Sequence, residues 1–151
     1  MHDRQRRRFL FGLTLASVAG LRATPASAQP AQPVQPAERT KAAFLDRAKA
    51  LRDQSMRAGD QAYGAVVVRD GVIVGEGPSL VVRDSDPTAH SELLAVRDAA
   101  RRLRTRDLSD CDVYSTATPC PMCQGALYWA RVRRVYTEST LEQGFAPKLG
   151  C

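Results

Sequence analysis

The order of predicted elements along this chain of 151 residues indicates an α/β protein, a three-layer α/β/α sandwich around a mixed central sheet. Three observations predict this class. A two-residue turn between two apolar runs indicates a β-hairpin. Later strand patterns alternate with helical patterns, which is typical of a parallel βαβ section. The length suits one domain with its own core rather than two, and a helix before the hairpin leaves helices on both faces.

The first predicted helix covers residues 38–58, where apolar residues recur every three or four positions with charges between them. Gly59 and Asp60 end it, since glycine and aspartate favour turns. The apolar, β-branched run from Tyr63 to Arg69 predicts the first strand.

Asp70-Gly71 predicts a tight hairpin turn, because both positions tolerate positive φ. The return strand begins at Val72 and runs towards Val82. Pro78 predicts an irregularity within it, since proline has no amide hydrogen for a sheet ladder.

Thr88 is a favourable N-cap for a second helix, predicted from Ala89 to about Leu103 after a loop over residues 84–87. We expect the apolar residues of this helix to form one buried stripe. They are Leu93, Leu94, Val96 and Ala100.

The second half of the chain repeats the alternation of strand and helix. Asp112–Thr116 predicts a strand, and Thr118 caps a third helix that ends near Arg131. The first turn of that helix tolerates its two prolines, because amides there have no partner within the helix. Val132–Thr137 predicts the last strand, and residues 138–151 predict a loop.

The N-terminal segment has three features of a targeting sequence. Arg6–Leu10 is a twin-arginine pattern followed by Phe-Leu, an apolar run covers Phe9–Leu21, and Ala26–Ala28 is an A-x-A cleavage site. It resembles bacterial Tat signal peptides, which implies the Tat export machinery as a partner, cleavage near Ala28, and a periplasmic or secreted protein. The apolar run is too short to span a bilayer comfortably, so no membrane span is expected after cleavage. The alternatives are a membrane anchor and a chance basic start.

Residues 29–37 are rich in proline, glutamine and alanine, which predicts a flexible linker before a folded domain at 38–151. The formal charge of +6 arises mostly before this linker. Residues 1–28 hold five of the 22 basic residues and one of the 16 acidic ones, which leaves 17 basic and 15 acidic residues, or +2. The folded part therefore argues only weakly for a nucleic-acid partner.

Five arginines lie in or just after the second predicted helix, at positions 97, 101, 102, 104 and 106. We interpret them as a solvated helix face, because no aromatic residues are interleaved with them. A phosphate or RNA patch is the alternative.

Four residues suggest the chemistry. His90, Cys120 and Cys123 open two predicted helices that start at the same sheet edge, and a catalytic zinc ion takes three such ligands and keeps one position for water. Helix N-termini also favour thiolates. Glu92 can take a proton from that water and return it to a ring nitrogen and then to a departing amine. Attack by this water on a ring carbon that carries an amine, followed by loss of ammonia, is hydrolytic deamination. A lone Cys-x-x-Cys is also compatible with a structural zinc clip or a redox pair.

These residues stand in motifs that resemble the cytidine deaminase-like superfamily over roughly residues 63–145. The segments 86–92 (Asp-Pro-Thr-Ala-His-Ser-Glu), 118–123 (Thr-Pro-Cys-Pro-Met-Cys) and 125–131 (Gly-Ala-Leu-Tyr-Trp-Ala-Arg) are similar to the branch that holds bacterial guanine deaminases and tRNA adenosine deaminases. In that branch the first segment reads Asp-Pro-Thr-Ala-His-Ala-Glu. The resemblance implies a cytidine deaminase-like fold and a bound Zn²⁺.

The resemblance also implies roles for individual residues. The implied zinc ligands are His90, Cys120 and Cys123, and the implied proton shuttle is Glu92. The implied substrate contacts are the backbone beside Ala65, the backbone of Ala89, the side chain of Ser79 and a pocket wall at Trp129.

Two departures from the branch concern its base selection. Ser79 stands where the family usually has an asparagine that hydrogen-bonds the substrate, and a hydroxyl cannot donate and accept in the same planar way. Guanine deaminases also have acidic residues after a Gly-Phe pair and in a closing C-terminal segment, whereas Gly144-Phe145 is followed by Ala146-Pro147. Guanine specificity therefore does not carry over with the zinc site.

We expect a zinc-dependent hydrolytic deaminase that releases ammonia from a purine base or nucleoside. One alternative is a tRNA adenosine deaminase, which needs a cytoplasmic protein. Another is an exported zinc-containing binding module without turnover. Relatives commonly form dimers, so a homodimer is an open expectation. Cys111 and Cys151 either pair in an oxidising compartment or are a buried small residue and a loose end.

Overall fold

A computed structural model of the chain describes residues 31–149. Within that range the chain forms three helices, four strands and one 3₁₀ turn. In chain order these are α1 (Lys41–Arg57), β1 (Gly64–Arg69), β2 (Val72–Pro78), α2 (Ser91–Leu103), β3 (Cys111–Ser115), α3 (Pro121–Trp129), β4 (Arg134–Tyr136) and the 3₁₀ turn Glu138–Thr140. The predicted order of elements is confirmed. The predicted signal segment at 1–28 and Cys151 lie outside the described residues, so export and the pairing of Cys111 with Cys151 stay predictions.

The four strands form one mixed sheet in the order β2-β1-β3-β4. β1 runs antiparallel to both β2 and β3, and β3 runs parallel to β4. The strands β2, β3 and β4 therefore point the same way, which is the predicted hairpin joined to a parallel βαβ section. Because α2 follows β2 and α3 follows β3, both helices begin at the same edge of the sheet.

Helices cover both faces of the sheet. On one face Val66 packs with Phe44 of α1, and on the other Val67 packs with Ala95 of α2 and Leu127 of α3. This double coverage explains why β1 is a continuous apolar run rather than an alternating one. The predicted three-layer sandwich is confirmed. Within residues 31–149 no helix has the length and apolarity needed to span a bilayer.

The hairpin turn has the predicted backbone, with φ of 50° at Asp70 and 73° at Gly71. The return strand is shorter than expected, because it ends at Pro78 and the chain then turns over residues 81–85. The amide of Asp84 donates to the carbonyl of Leu80 in that turn, 3.0 Å away.

Helix α2 lies unusually close to β2, because two glycines face it. A Cβ atom on Gly77 would collide with the carbonyl oxygen of Ser91 and would lie 2.5 Å from the amide nitrogen of Ala95. A Cβ atom on Gly75 would lie 2.6 Å from the amide nitrogen of Ala99. The predicted stripe of larger apolar residues is therefore only partly right. Leu93 is buried, but Leu94, Val96 and Ala100 are half-buried.

The start of α2 is two residues later than predicted. His90, with φ −70° and ψ 149°, is the N-cap, and Ser91 is the first helical residue. Thr88 was expected to cap the helix, but its hydroxyl donates to the carboxylate of Asp86, 2.7 Å away.

The start of α3 is also later than predicted, with Cys120 as the N-cap rather than Thr118. The cause is Pro121. The residue before a proline is restricted to extended backbone, so Cys120 cannot be helical and is the N-cap instead. The helix ends at Trp129, slightly before the predicted Arg131.

The described part of the predicted linker, residues 31–37, contains no helix or strand. It differs from a freely flexible segment, because Gln35 is held on the edge strand β2. The side-chain amide of Gln35 donates to the carbonyl of Ile73 (2.8 Å) and accepts from the amide of Ile73 (2.9 Å). This side chain covers part of an open sheet edge, which is otherwise a site for unwanted strand pairing.

The close approach of α2 generates a stability prediction. We expect Gly77→Ala to lower the free energy of unfolding of the zinc-loaded protein by about 1–3 kcal/mol, because an overpacked contact shifts the backbone. Zinc affinity should fall with it, since the displaced helix carries His90 at its start. Urea unfolding and a competitive zinc titration measure both quantities.

Gly125→Ala is the matched control. A Cβ atom at this position in α3 meets nothing within 4 Å. An alanine inside a helix is up to about 1 kcal/mol more favourable than glycine, so we expect unchanged or raised stability. Equal losses in both variants would contradict the account of the α2–β2 contact.

Candidate metal centre

Three metal-ligating side chains meet where α2 and α3 begin. The ligand atoms of His90, Cys120 and Cys123 all lie within 4.8 Å of one another. The Nδ1 atom of His90 is 3.7 Å from the Sγ atoms of both cysteines. The structure therefore brings the two cysteines together with His90, which lies 30 or more residues before them in the chain.

These distances fit a tetrahedral zinc ion. Zinc binds thiolates at about 2.3 Å and imidazole nitrogens at about 2.0–2.1 Å, and tetrahedral angles then separate sulfur from nitrogen by about 3.6 Å. The observed separations of 3.7 Å agree with that value. The chemistry of the donor set also suits zinc, since two thiolates and one imidazole select it over the hard cations.

Helix termini position the ligands. His90 and Cys120 are N-caps with extended backbone, so their side chains project past the free ends of α2 and α3. Cys123 lies in the first turn of α3, three residues after Cys120, and is fully buried. The partial positive charge of the two helix N-termini favours the anionic thiolates that zinc requires.

Glu92 lies beside this cluster with a well-defined set of partners. Glu92 is only 5% exposed. Its Oε1 atom accepts a hydrogen bond from the hydroxyl of Ser115 (2.8 Å), and its Oε2 atom accepts one from the hydroxyl of Ser91 (3.1 Å). The thiol of Cys123 donates to Oε2 at 3.5 Å. The carboxylate is thus held next to one of the zinc ligands.

Sequence reasoning missed both serines. A signal was present for Ser91, which stands where the resembled branch has alanine between the histidine and the glutamate. Ser115 gave no such signal, because a serine at a strand end is unremarkable until the helix that faces it is known.

Burial and the neighbouring charge of Glu92 raise the pKa of the Cys123 thiol well above its usual range. This direction describes the protein without metal, in which a buried thiolate beside a carboxylate is unfavourable. A zinc ion reverses the balance, because a coordinating thiol is deprotonated outright.

Two of the predicted substrate contacts are buried near this edge of the sheet. Ala65 is fully buried in β1 and lies opposite Ser115 of β3. Ala89 is 2% exposed and directly precedes the ligand His90, and its carbonyl accepts from the amide of Leu80 (3.1 Å). Their contacts with a substrate stay predictions.

Ser79, the third predicted contact, is fully buried just after β2. Its hydroxyl donates to the carboxylate of Asp60, 2.9 Å away. The same carboxylate accepts from the amides of Val82 (3.0 Å) and Arg83 (2.9 Å). The one proton of the Ser79 hydroxyl is thereby used within the protein.

Trp129, the fourth, is not brought to the metal cluster. It is the last residue of α3, about 9 Å along the helix axis from Cys123, and it is 75% exposed. It lines a separate groove of about 650 Å³. The other residues that line this groove are Arg106, Asp107, Tyr128, Arg131, Val132, Ala146 and Pro147.

Residues 38–139 match the family model described as the cytidine and deoxycytidylate deaminase zinc-binding region. This chain belongs to that family. The match includes all three ligands of the cluster, so the Zn²⁺ predicted from the sequence is confirmed as the metal of the site. The cytidine deaminase-like fold is confirmed with it.

Individual family members show where the similarity lies. The guanine deaminase of Bacillus subtilis is 46% identical over 94 residues, which are 62% of this chain and 60% of that protein. Its X-ray structure superposes with a TM-score of 0.61 at 45% identity over 62% of this chain and 60% of that one. The tRNA-specific adenosine deaminase of Aquifex aeolicus is 38% identical over 92 residues, 61% of each protein.

A solved structure in complex with 2,6-diaminopurine matches with a TM-score of 0.65 at 28% identity, over 73% of this chain and 60% of that one. The chain spans about three fifths of the length of these relatives. This chain and these relatives share the family, the fold and the zinc site. The substrates named for the relatives are properties of those proteins.

The raised pKa of Cys123 predicts that zinc binding releases protons. The thiol is protonated without metal at neutral pH, so zinc must displace its proton. We expect at least one proton released per zinc ion, and an apparent affinity that rises about tenfold per pH unit for each proton released. Calorimetry in buffers of different ionisation enthalpy counts these protons.

Cys111→Ala supplies the control, because Cys111 is also a buried thiol whose pKa burial raises, to about 12. It lies outside the ligand cluster. Its removal should leave the proton count unchanged. A zinc affinity independent of pH between 6 and 8 would contradict the assignment of Cys123.

Proposed function

We propose that this deaminase-family protein hydrolyses the exocyclic amine of a purine base or nucleoside and releases ammonia. The observation that carries the proposal is the carboxylate of Glu92, buried and 3.5 Å from the Sγ atom of Cys123. A structural zinc site is closed by four protein ligands, whereas the cluster found within residues 31–149 has three. Three ligands with a neighbouring carboxylate suit catalysis better than structural closure.

A zinc ion held by His90, Cys120 and Cys123 would supply a water molecule of lowered pKa. Glu92 provides the proton transfers that the reaction needs. Its carboxylate takes one proton from the attacking water and gives it to a ring nitrogen as the new C–O bond forms. The carboxylate then carries the proton of the newly formed hydroxyl group to the exocyclic nitrogen, so that the C–N bond breaks, ammonia leaves and a ring carbonyl remains.

Purine substrates are supported by the similarity to the guanine deaminase of B. subtilis and by the structural neighbour that holds 2,6-diaminopurine. Ser79 argues against a simple transfer of guanine specificity. Its hydroxyl is fully buried and donates its proton to Asp60, so it has no donor to offer a substrate. The choice among purine compounds is therefore left open by Ser79 and is measured by the substrate panel below.

A tRNA substrate is the second candidate, favoured by the 38% identity to the A. aeolicus enzyme and by four exposed arginines. These are Arg97, Arg101, Arg104 and Arg106. Arg102, by contrast, pairs with Asp98 on the same helix (2.9 Å). The small-molecule substrate remains our proposal, because the twin-arginine segment predicts export away from tRNA.

The test is ammonia release by zinc-loaded protein covering residues 29–151. The panel contains guanine, adenine, cytosine, their nucleosides, aminated pterins and triazines, and a tRNA with adenosine in the anticodon. We expect release from a purine compound. Glu92→Ala should lower kcat at least about a hundredfold, because proton transfer by a positioned side chain contributes about 10²–10⁴-fold.

Glu138→Ala is a control for loss of a carboxylate, since Glu138 lies on the surface in the 3₁₀ turn. It should retain the wild-type rate. Release only from the tRNA would replace the proposed substrate with the second candidate. No release from any compound, with zinc bound and the fold intact, would support a binding module without turnover.

A further inference from the structure

The two hydroxyls around Glu92 are arranged as a pair of anchors. Ser115 donates to one carboxylate oxygen and Ser91 donates to the other, at 2.8 and 3.1 Å. Both serines are fully buried. A carboxylate held at only one oxygen can still swing about its side-chain torsions, whereas hydrogen bonds at both oxygens restrict the position and the plane of the group.

The anchors come from two different elements. Ser115 is the last residue of β3, and Ser91 is the first residue of α2. The hydroxyl of Ser115 also accepts a weak hydrogen bond from the amide of Ala117 (3.4 Å), which leaves its proton directed at Glu92. The carboxylate is therefore held by hydrogen bonds from both the sheet and the helix.

We propose that Ser91 and Ser115 are positioning residues that hold Glu92 beside Cys123 in the orientation needed for proton transfer. The proposal rests on the proposed deamination. Proton transfer requires the carboxylate to stay within hydrogen-bond reach of the reacting atoms, so a misplaced group loses rate without losing substrate affinity. Hydrogen-bond partners that orient metal ligands commonly contribute about 10–100-fold, and we expect an effect of similar size for the partners of Glu92.

A purely structural role makes a different prediction. If the serines only satisfy the hydrogen bonds of a buried carboxylate, their removal lowers stability and leaves the rate of the folded enzyme unchanged. The fold should tolerate the loss of the Ser91 hydroxyl, because alanine is the residue that stands there in the resembled branch. Ser91→Ala is therefore an interpretable variant even if Ser115→Ala folds poorly.

The kinetic test compares Ser91→Ala, Ser115→Ala and the double variant with the best substrate of the panel. We expect kcat to fall about 3–10-fold in each single variant and about 10–100-fold in the double variant. KM and zinc affinity should stay within about twofold of wild type. Ser115→Thr, which keeps a hydroxyl, should recover most of the rate.

Ser55→Ala is the matched control. Ser55 is also a buried serine, but its hydroxyl donates to the carbonyl of Leu51 within α1 (3.2 Å). Its removal should leave kcat unchanged. A wild-type kcat in the double variant, or parallel losses of kcat and zinc affinity, would overturn the proposal.

A second readout is independent of turnover. In the cobalt-substituted protein the visible absorption bands report the surroundings of the metal, so a displaced carboxylate changes them. We expect the double variant to shift these bands in the direction of Glu92→Ala, and Ser55→Ala to match the wild type. A shift without turnover of any compound would reject the proposed function and retain the positioning role. Unchanged bands in the double variant would reject the positioning role.

Discussion

The close packing of α2 against two glycines of β2 is the constraint on which the metal site depends. Gly75 and Gly77 let the helix backbone approach where any side chain would collide with Ser91, Ala95 or Ala99. This contact sets the height of the first turn of α2 above the sheet. It thereby fixes His90, Glu92 and the hydroxyl of Ser91 relative to the end of β3. The other two ligands, Cys120 and Cys123, are positioned independently, because α3 follows β3 and begins at the same edge.

The charges of the site are balanced only with a metal. Without one, a carboxylate 5% exposed lies against the thiol of Cys123, and burial together with that carboxylate raises the pKa of the thiol. A divalent cation compensates two thiolates and leaves the charge of Glu92 to two hydroxyl donors. Within the described residues every buried side-chain polar atom has a hydrogen-bond partner. The carboxylate of Glu92 is thus held by two neutral hydrogen-bond donors, the hydroxyls of Ser91 and Ser115.

Much of the fold and of the ligand set could be predicted from the sequence, because both depend on local signals. The hairpin follows from Asp70-Gly71, and the ligands follow from spacing within helix starts. The starts of α2 and α3 are later than the sequence predicts. At α3 the restriction that Pro121 imposes on Cys120 outweighs the capping preference of Thr118, and at α2 the hydroxyl of Thr88 is taken by Asp86. Three features could not be predicted in this way: the contact of Ser115 with Glu92, the face of α2 that packs on the sheet, and the hydrogen bond from Ser79 to Asp60. Each depends on which elements face each other, and hydrophobic periodicity contains no such information.

The link between Ser79 and Asp60 explains how a departure from the family pattern can be accommodated without loss of the site. Burial opposes ionisation of Asp60, but hydrogen bonds from Arg83, Gln61, Ser79 and Val82 outweigh it, so the pKa of this carboxyl lies below its usual value. The charged group fixes the turn after β2. That turn in turn holds the ligand segment, since the amide of Leu80 donates to the carbonyl of Ala89. Ser79 therefore helps to hold His90 in position through this turn. Its hydroxyl proton is donated to Asp60 and is not available to a substrate. The zinc site that this chain shares with its family and the surroundings of Ser79 are therefore separate parts of the structure, and a change at position 79 can leave the metal ligands in place.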